Sequence, residues 1–158
     1  MPILSRDLEI LRDLEDGELA QLEAIAQLRE HSAESSVLRE GLPAEALYFV
    51  LAGTVRVTGV VVEGDEMFER DEQKIVKLAA GEVFGEMSFL TGEVPALSVI
   101  ADGPVKVAAL PQKDLKAILD AHPSLCHKIY AALVKAMVKR LRATSRELFL
   151  TRYFLRQM

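Results

Sequence analysis

The segment from Gly81 to Ala101, GEVFGEMSFLTGEVPALSVIA, has the residue types and spacing best suited to binding an anion. It predicts a strand, then a Gly85-Glu86 turn that opens a short helix, then Pro95 and a second strand. Glycine lets the backbone approach a ligand closely, and the N–H groups at a helix N-terminus favour negative charge. We therefore expect this segment to bind a phosphate group.

No other set of residues has the spacing of a catalytic or metal site. His122 and His127 are five residues apart and flank a proline, and His31 has no partner in the sequence. The single cysteine, Cys126, excludes an internal disulfide and a site built from several cysteines. No nucleophile lies beside a base. The sequence therefore predicts no enzyme, no bound metal and no cofactor.

The composition predicts one domain, residues 1–158. Half of the residues are apolar, which is enough for a core. No apolar run approaches the ~18–20 residues that span a bilayer. The N-terminus lacks the basic and apolar regions of a signal peptide. We therefore expect a cytoplasmic protein that makes no membrane contact.

The net charge of −5 is unevenly distributed along the chain. From Ala121 onward, eight basic residues stand against one acidic residue, Glu147, so this part carries +7 and residues 1–120 carry −12. A basic helix can contact nucleic acid or a membrane, and it can also be a solvated face or dock on an acidic body. The solvated face is the favoured interpretation.

The elements that position the Gly81–Ala101 segment fall into three parts. Residues 1–35 have leucines at helical spacing, interrupted by Asp16-Gly17, and predict two short N-terminal helices. Residues 36–110 contain several short strands at roughly 8–12 residue spacing, with a hairpin loop at Glu63–Asp71, and predict an antiparallel sandwich or barrel. Residues 111–158 predict a helix and then a long helix from Ser124 to about Leu150.

The long helix carries an apolar seam with alternating steps of three and four residues. This seam comprises Tyr130, Val134, Met137, Leu141, Thr144, Leu148, Thr151 and Leu155. Such a pattern, kept for more than three heptads, is typical of a helix that pairs with another helix. We therefore expect a homodimer with Tyr130, Val134, Met137, Leu141, Thr144 and Leu148 in its interface. The alternative is that the seam packs against the domain's own sheet.

Three motifs occur in order along the chain: LYFVLAGTVRV at 47–57, GEVFGEMSFL at 81–90 and KRLRATS at 139–145. Together they resemble the cyclic-nucleotide-binding domain of the bacterial catabolite activator protein superfamily. The resemblance covers nearly the whole chain. It implies an α+β fold in which an antiparallel, jelly-roll-like β-roll of about eight strands lies between N-terminal helices and a long C-terminal helix.

The resemblance also implies a nucleotide site. Gly85 would allow close approach, Glu86 would accept a hydrogen bond from the ribose 2′-hydroxyl, and Thr144 and Ser145 would reach the base. The ligand would be cAMP or cGMP. The implied ligand-binding residues are Phe84, Gly85, Glu86, Met87, Ser88, Ala96, Leu97, Ser98, Thr144 and Ser145.

The chain departs from the family at Ala96, where the resemblance implies a phosphate-binding arginine, and at Leu97, where it implies a small residue. An arginine–phosphate contact is a charge-assisted and often bidentate pair. Its loss costs roughly 2–4 kcal/mol, or about 30- to 1000-fold in affinity. The cassette itself contains no other basic residue.

Two functions therefore stand as hypotheses. The first is a stand-alone regulatory sensor of cAMP or cGMP that dimerises through its C-terminal helix. The second is a dimeric scaffold or interaction protein that has lost the nucleotide, binds another ligand, or binds a protein partner. Direct DNA binding is not expected, because related activators carry a helix-turn-helix after the long helix and this sequence ends at Met158.

Overall fold

The computed structural model describes residues 1–59, 62–63, 66–67 and 73–158. In chain order its elements are α1 Asp16–Ile25, β1 Gln27–His31, β2 Ser36–Leu38, β3 Ala46–Ala52, β4 Val55–Gly59, β5 Val62–Glu63, β6 Glu66–Met67, β7 Gln73–Leu78, β8 Val83–Phe84, α2 Glu86–Thr91, β9 Ser98–Ala101, β10 Val105–Pro111, α3 Gln112–Ala121 and α4 Pro123–Gln157. Most of the predicted hairpin loop at Glu63–Asp71 lies outside the described residues.

The strands form two antiparallel four-stranded sheets, ordered β1-β10-β3-β8 and β2-β9-β4-β7, together with the short β5-β6 pair. The inward side chains of both sheets, among them Val50, Val55, Val99 and Val107, form one apolar cluster. This arrangement confirms the predicted α+β fold with an antiparallel roll.

Strand β3 is apolar along its whole length because both of its faces are covered. Alternate side chains of a strand point to opposite faces. Tyr48 and Val50 pack inside the roll, whereas Leu47 and Phe49 pack against the helices in a second apolar cluster. Because both faces of β3 are covered, it reads as a continuous apolar run.

The prediction of two helices in residues 1–35 is wrong in part. Only Asp16–Ile25 is α-helical there, and the chain before it forms turns such as Leu11 N–H to Leu8 C=O. Residues 27–31 form β1, so the strands begin nine residues earlier than position 36. β1 is largely exposed and is held by its pairing with β10, which a local pattern does not reveal.

The predicted long C-terminal helix is confirmed as α4. It begins at Pro123, where the fixed φ of proline suits a first helical position. It ends at Gln157, beyond the predicted Leu150. Its first half buries Leu125, Ile129, Leu133 and Ala136, whereas residues 141–158 are all exposed. Among the described helices, none combines the length and the apolar character needed to cross a bilayer.

Candidate functional site

The turn before α2 requires glycine. Gly85 has φ +80° and forms the N-cap of α2. A Cβ atom at this position would lie 3.2 Å from the carbonyl oxygen of Ala46 and 3.3 Å from a ring carbon of Tyr48. The predicted order of strand, glycine turn and short helix is therefore confirmed, and the backbone there approaches β3 as closely as glycine allows.

Glu86 is the first residue of α2, and its side chain is only 10% exposed. Its Oε1 accepts a hydrogen bond from Nη1 of Arg140 at 2.8 Å. A carboxylate in such a position needs a charged partner, because a buried unpaired charge is costly. Arg140 lies on α4, so the pair joins the start of α2 directly to the C-terminal helix.

Arg140 also joins α4 to the N-terminal segment. Its Nη2 donates to Oε2 of Glu9 at 3.1 Å and to the carbonyl oxygen of Val83. The same Glu9 oxygen accepts the N–H of Val83 at 2.9 Å, and the Glu9 N–H donates to the carbonyl of Gly81 at 2.6 Å. We call Glu9, Val83, Glu86 and Arg140 the arginine cluster. It ties three separate segments of the chain together.

The sequence interpretation placed Arg140 in a family motif but did not predict it as a site residue, and it missed Glu9. A signal for Arg140 was present. It follows buried Leu133 by seven residues and buried Ala136 by four, so it lies on the body-facing stripe of α4. A charged residue on a buried stripe indicates an internal ion pair. No comparable local signal marks Glu9.

The other residues predicted within the cassette have structural partners or are exposed. Phe84 is buried and its ring stacks on Tyr48 with 5.0 Å between centroids. Ser88 is buried, and its hydroxyl donates to the carbonyl of Glu93 at 2.7 Å, which closes the end of α2. Met87 is half exposed.

The loop from Pro95 to Ser98 lies against the turn that follows β2. The N–H of Glu40 donates to the Ser98 hydroxyl at 3.0 Å, and the N–H of Gly41 donates to the carbonyl of Pro95 at 2.9 Å. Ala96 is exposed and Leu97 is partly buried. Within the described residues, no ion pair is formed by residues 95–98.

Thr144 and Ser145 are not brought to the cassette. Both are exposed, and they lie four and five residues beyond Arg140, about 6 Å or more along the helix axis. No hydrogen bond links either side chain to the described part of the cassette. Within one chain, the structure thus groups Phe84–Ser88 with Arg140, and the predicted contacts of Thr144 and Ser145 with the base, which the resemblance assigns to both subunits of a dimer, stay a prediction.

The predicted dimer seam lies mainly on the solvent-exposed side of α4. Val134, Leu141 and Leu148 are 55%, 66% and 54% exposed. Met137 is partly buried, and the Tyr130 ring lies 6.0 Å from that of Phe89. The alternative that the seam packs against the domain's own sheet is therefore wrong for most of its residues, since other side chains of α4 make the buried stripe.

The sequence profile described as "Cyclic nucleotide-binding domain" matches residues 28–122 of this chain. The chain belongs to the cyclic nucleotide-binding domain family. The match covers the roll, the cassette and α3. It includes the motifs at 47–57 and 81–90 and ends before the motif at 139–145.

The chain is similar to one solved domain and to parts of longer proteins that have different names. A crystal structure of a cyclic nucleotide-binding domain from Methylobacillus flagellatus has a TM-score of 0.80, is 26% identical, and is matched over 92% of this chain and 82% of that one. Glutaminase 1 of Bradyrhizobium diazoefficiens is 31% identical over 132 residues, which are 84% of this chain and 20% of that protein. The cAMP-activated global transcriptional regulator of Pasteurella multocida is 26% identical over 76% of this chain and 53% of its own length.

The chain thus spans between a fifth and about half of the length of these two relatives. What it shares with them is the family domain.

Proposed function

We propose that this chain is the ligand-binding module of a regulatory protein and that it binds cAMP or cGMP with the ribose against Glu86. The observation that carries the proposal is the Glu86 carboxylate, which Arg140 fixes at the start of α2. Arg140 donates to Oε1, and no donor within the described residues is hydrogen-bonded to Oε2, which leaves Oε2 to accept a hydrogen bond from a ligand hydroxyl. The name of the regulator from Pasteurella multocida, which describes it as activated by cAMP, supports this choice.

The same contact provides a route from ligand to output. A hydroxyl that donates to Glu86 changes the electrostatic environment of Arg140, which in turn holds α4 to Val83 and Glu9. A ligand shifts an equilibrium between two conformations by its differential affinity for them. We infer that nucleotide binding shifts the packing of α4 against the cassette through the arginine cluster.

We also propose that the module is a homodimer paired through the α4 seam. The exposed Val134, Leu141 and Leu148 support this, because an apolar stripe on a helix gains most by packing on another helix.

Light scattering should give about twice the 17.5 kDa of one chain. Leu141→Asp with Leu148→Asp should yield monomers, while Arg142→Asp, on a neighbouring face, should leave the dimer intact. A wild-type mass of one chain at high micromolar concentration would refute the pairing.

Calorimetric titration of the wild-type protein with cAMP and cGMP tests the binding proposal. We expect micromolar dissociation constants and a raised melting temperature. Glu86→Ala should weaken binding about 10- to 100-fold, because a hydrogen bond to a charged group contributes about 1.5–3 kcal/mol. Glu45→Ala, on the exposed turn before β3, is the matched control and should bind like the wild type.

No heat and no thermal shift at millimolar nucleotide would contradict nucleotide binding. That result would favour the second candidate, a dimeric module that acts through protein contacts. The exposed Ala96, with no cation beside it on its own loop, is the observation that favours this alternative.

A further inference from the structure

The loop from Pro95 to Ser98 lacks a cation of its own, yet a phosphate bound there would need one. A desolvated phosphate is stabilised chiefly by charge-assisted donors, and a guanidinium supplies two of them in a fixed plane. The turn after β2 lies against this loop, and its first residue is Arg39. A cation at this place matters only if the proposed function holds, since it would bind the phosphate of the same ligand.

Backbone contacts fix the position of Arg39. Its neighbour Leu38 is the Cα partner of Val99 in the β2–β9 pairing. The next two residues, Glu40 and Gly41, donate their N–H groups to Ser98 Oγ at 3.0 Å and to the Pro95 carbonyl at 2.9 Å. Arg39 therefore lies alongside the loop, at the distance of a direct or diagonal cross-strand neighbour, which long side chains can span.

The side chain of Arg39 is exposed and makes no hydrogen bond or ion pair within the described residues. Three other described cations, near the turn between β9 and β10, already have partners. Lys77 pairs with Asp102 at 2.8 Å, Lys106 pairs with Glu30 at 3.7 Å, and Arg56 pairs with Glu34. An arginine without such a partner can bind a ligand without first breaking an ion pair.

We propose that Arg39 supplies the guanidinium that binds the ligand phosphate, in place of the arginine absent at position 96. The cation has moved from the loop itself to the turn that is hydrogen-bonded to that loop. Ala96 then leaves room for a side chain that enters from the neighbouring segment. The chain keeps a phosphate site whose charge is provided by a different strand.

Calorimetric titration with cAMP and with adenosine tests this assignment, because adenosine presents the base and ribose without the phosphate. Arg39→Ala should weaken cAMP binding about 10- to 100-fold and leave adenosine binding unchanged. Arg39→Lys should recover part of the loss. Ala96→Arg in the Arg39→Ala background should restore binding. Arg12→Ala, which removes an exposed arginine elsewhere, is the matched control for net charge and should bind cAMP like the wild type.

One result would overturn the assignment alone. It is a wild type that binds cAMP together with an Arg39→Ala variant that binds it equally well or loses cAMP and adenosine to the same extent. A wild type that binds no nucleotide would contradict the proposed function and this assignment together, and Ala96→Arg then shows whether the pocket is otherwise intact.

Discussion

The two sides of the cassette differ in how they are held. At Glu86, charged groups from the N-terminal segment, α2 and α4 meet in the arginine cluster. At Ala96, the loop is held by hydrogen bonds to the turn after β2, and Arg39 beside it is unpaired within the described residues. Under the proposed function, the first side would join a bound ligand to the long helix, and the second side would set how tightly the phosphate is bound. Ligand coupling and ligand affinity would then depend on different residues of this domain.

The largest effect on stability should come from Arg140→Ala. It leaves Glu86 and Glu9 without their cation while their side chains are only 10% and 22% exposed. Removing one partner of such a cluster costs about 2–4 kcal/mol, at the lower side of what fully buried pairs show. Urea unfolding measures the loss. Lys139→Ala, at the exposed neighbour, is the control and should stay within about 0.5 kcal/mol of the wild type.

Equal unfolding midpoints for Arg140→Ala and Lys139→Ala would remove the distinction between the two sides of the cassette. Arg140→Lys should not restore full stability, because an ammonium group cannot reproduce the forked contacts to Glu86, Glu9 and Val83.

The second largest effect should come from Gly85→Ala, which should lower the free energy of unfolding by about 1–3 kcal/mol. The residue has a positive φ, and an added Cβ would press on the Ala46 carbonyl. Gly17→Ala provides the opposite control, since Gly17 lies inside α1 with nothing within 4 Å of an added Cβ. It should stabilise the protein by about 0.5–1 kcal/mol. Thermal unfolding should show a lower melting temperature for Gly85→Ala and a higher one for Gly17→Ala. An unchanged melting temperature for Gly85→Ala would contradict the close approach of the backbone to β3.

Ser98→Ala should have the smallest effect, about 0.5–1.5 kcal/mol, because it removes one hydrogen bond from an exposed turn. Urea unfolding should place it well below Arg140→Ala. A Ser98→Ala loss as large as that of Arg140→Ala would show that the loop at Ala96 is held as firmly as the cluster at Glu86.

The sequence predicted the parts of the site whose signals are local. The Gly85 turn, the short helix from Glu86 and the strand after Pro95 are all marked by neighbouring residues, and all three are confirmed. Strand β1 was missed because its evidence is the pairing with β10, about 80 residues away. The Glu9–Arg140 contact joins residues 131 positions apart, so no window of sequence contains both.

The proposal for Arg39 also depends on contacts that the local sequence does not show. The resemblance implies an arginine where the sequence has Ala96, but only the contacts of Glu40 and Gly41 with the loop place Arg39 next to it. The alanine at position 96 can be read from the sequence, whereas the proximity of Arg39 is known only from the fold.

Hydrogen exchange with and without saturating cAMP tests the central claim, that a ligand at Glu86 acts on α4 through Arg140. We expect cAMP to change the exchange rates of the amides at residues 83–98 and also, by at least several fold, those of the α4 amides around Ala136 to Thr144. A change confined to residues 83–98, with α4 exchanging as in the unbound protein, would contradict it.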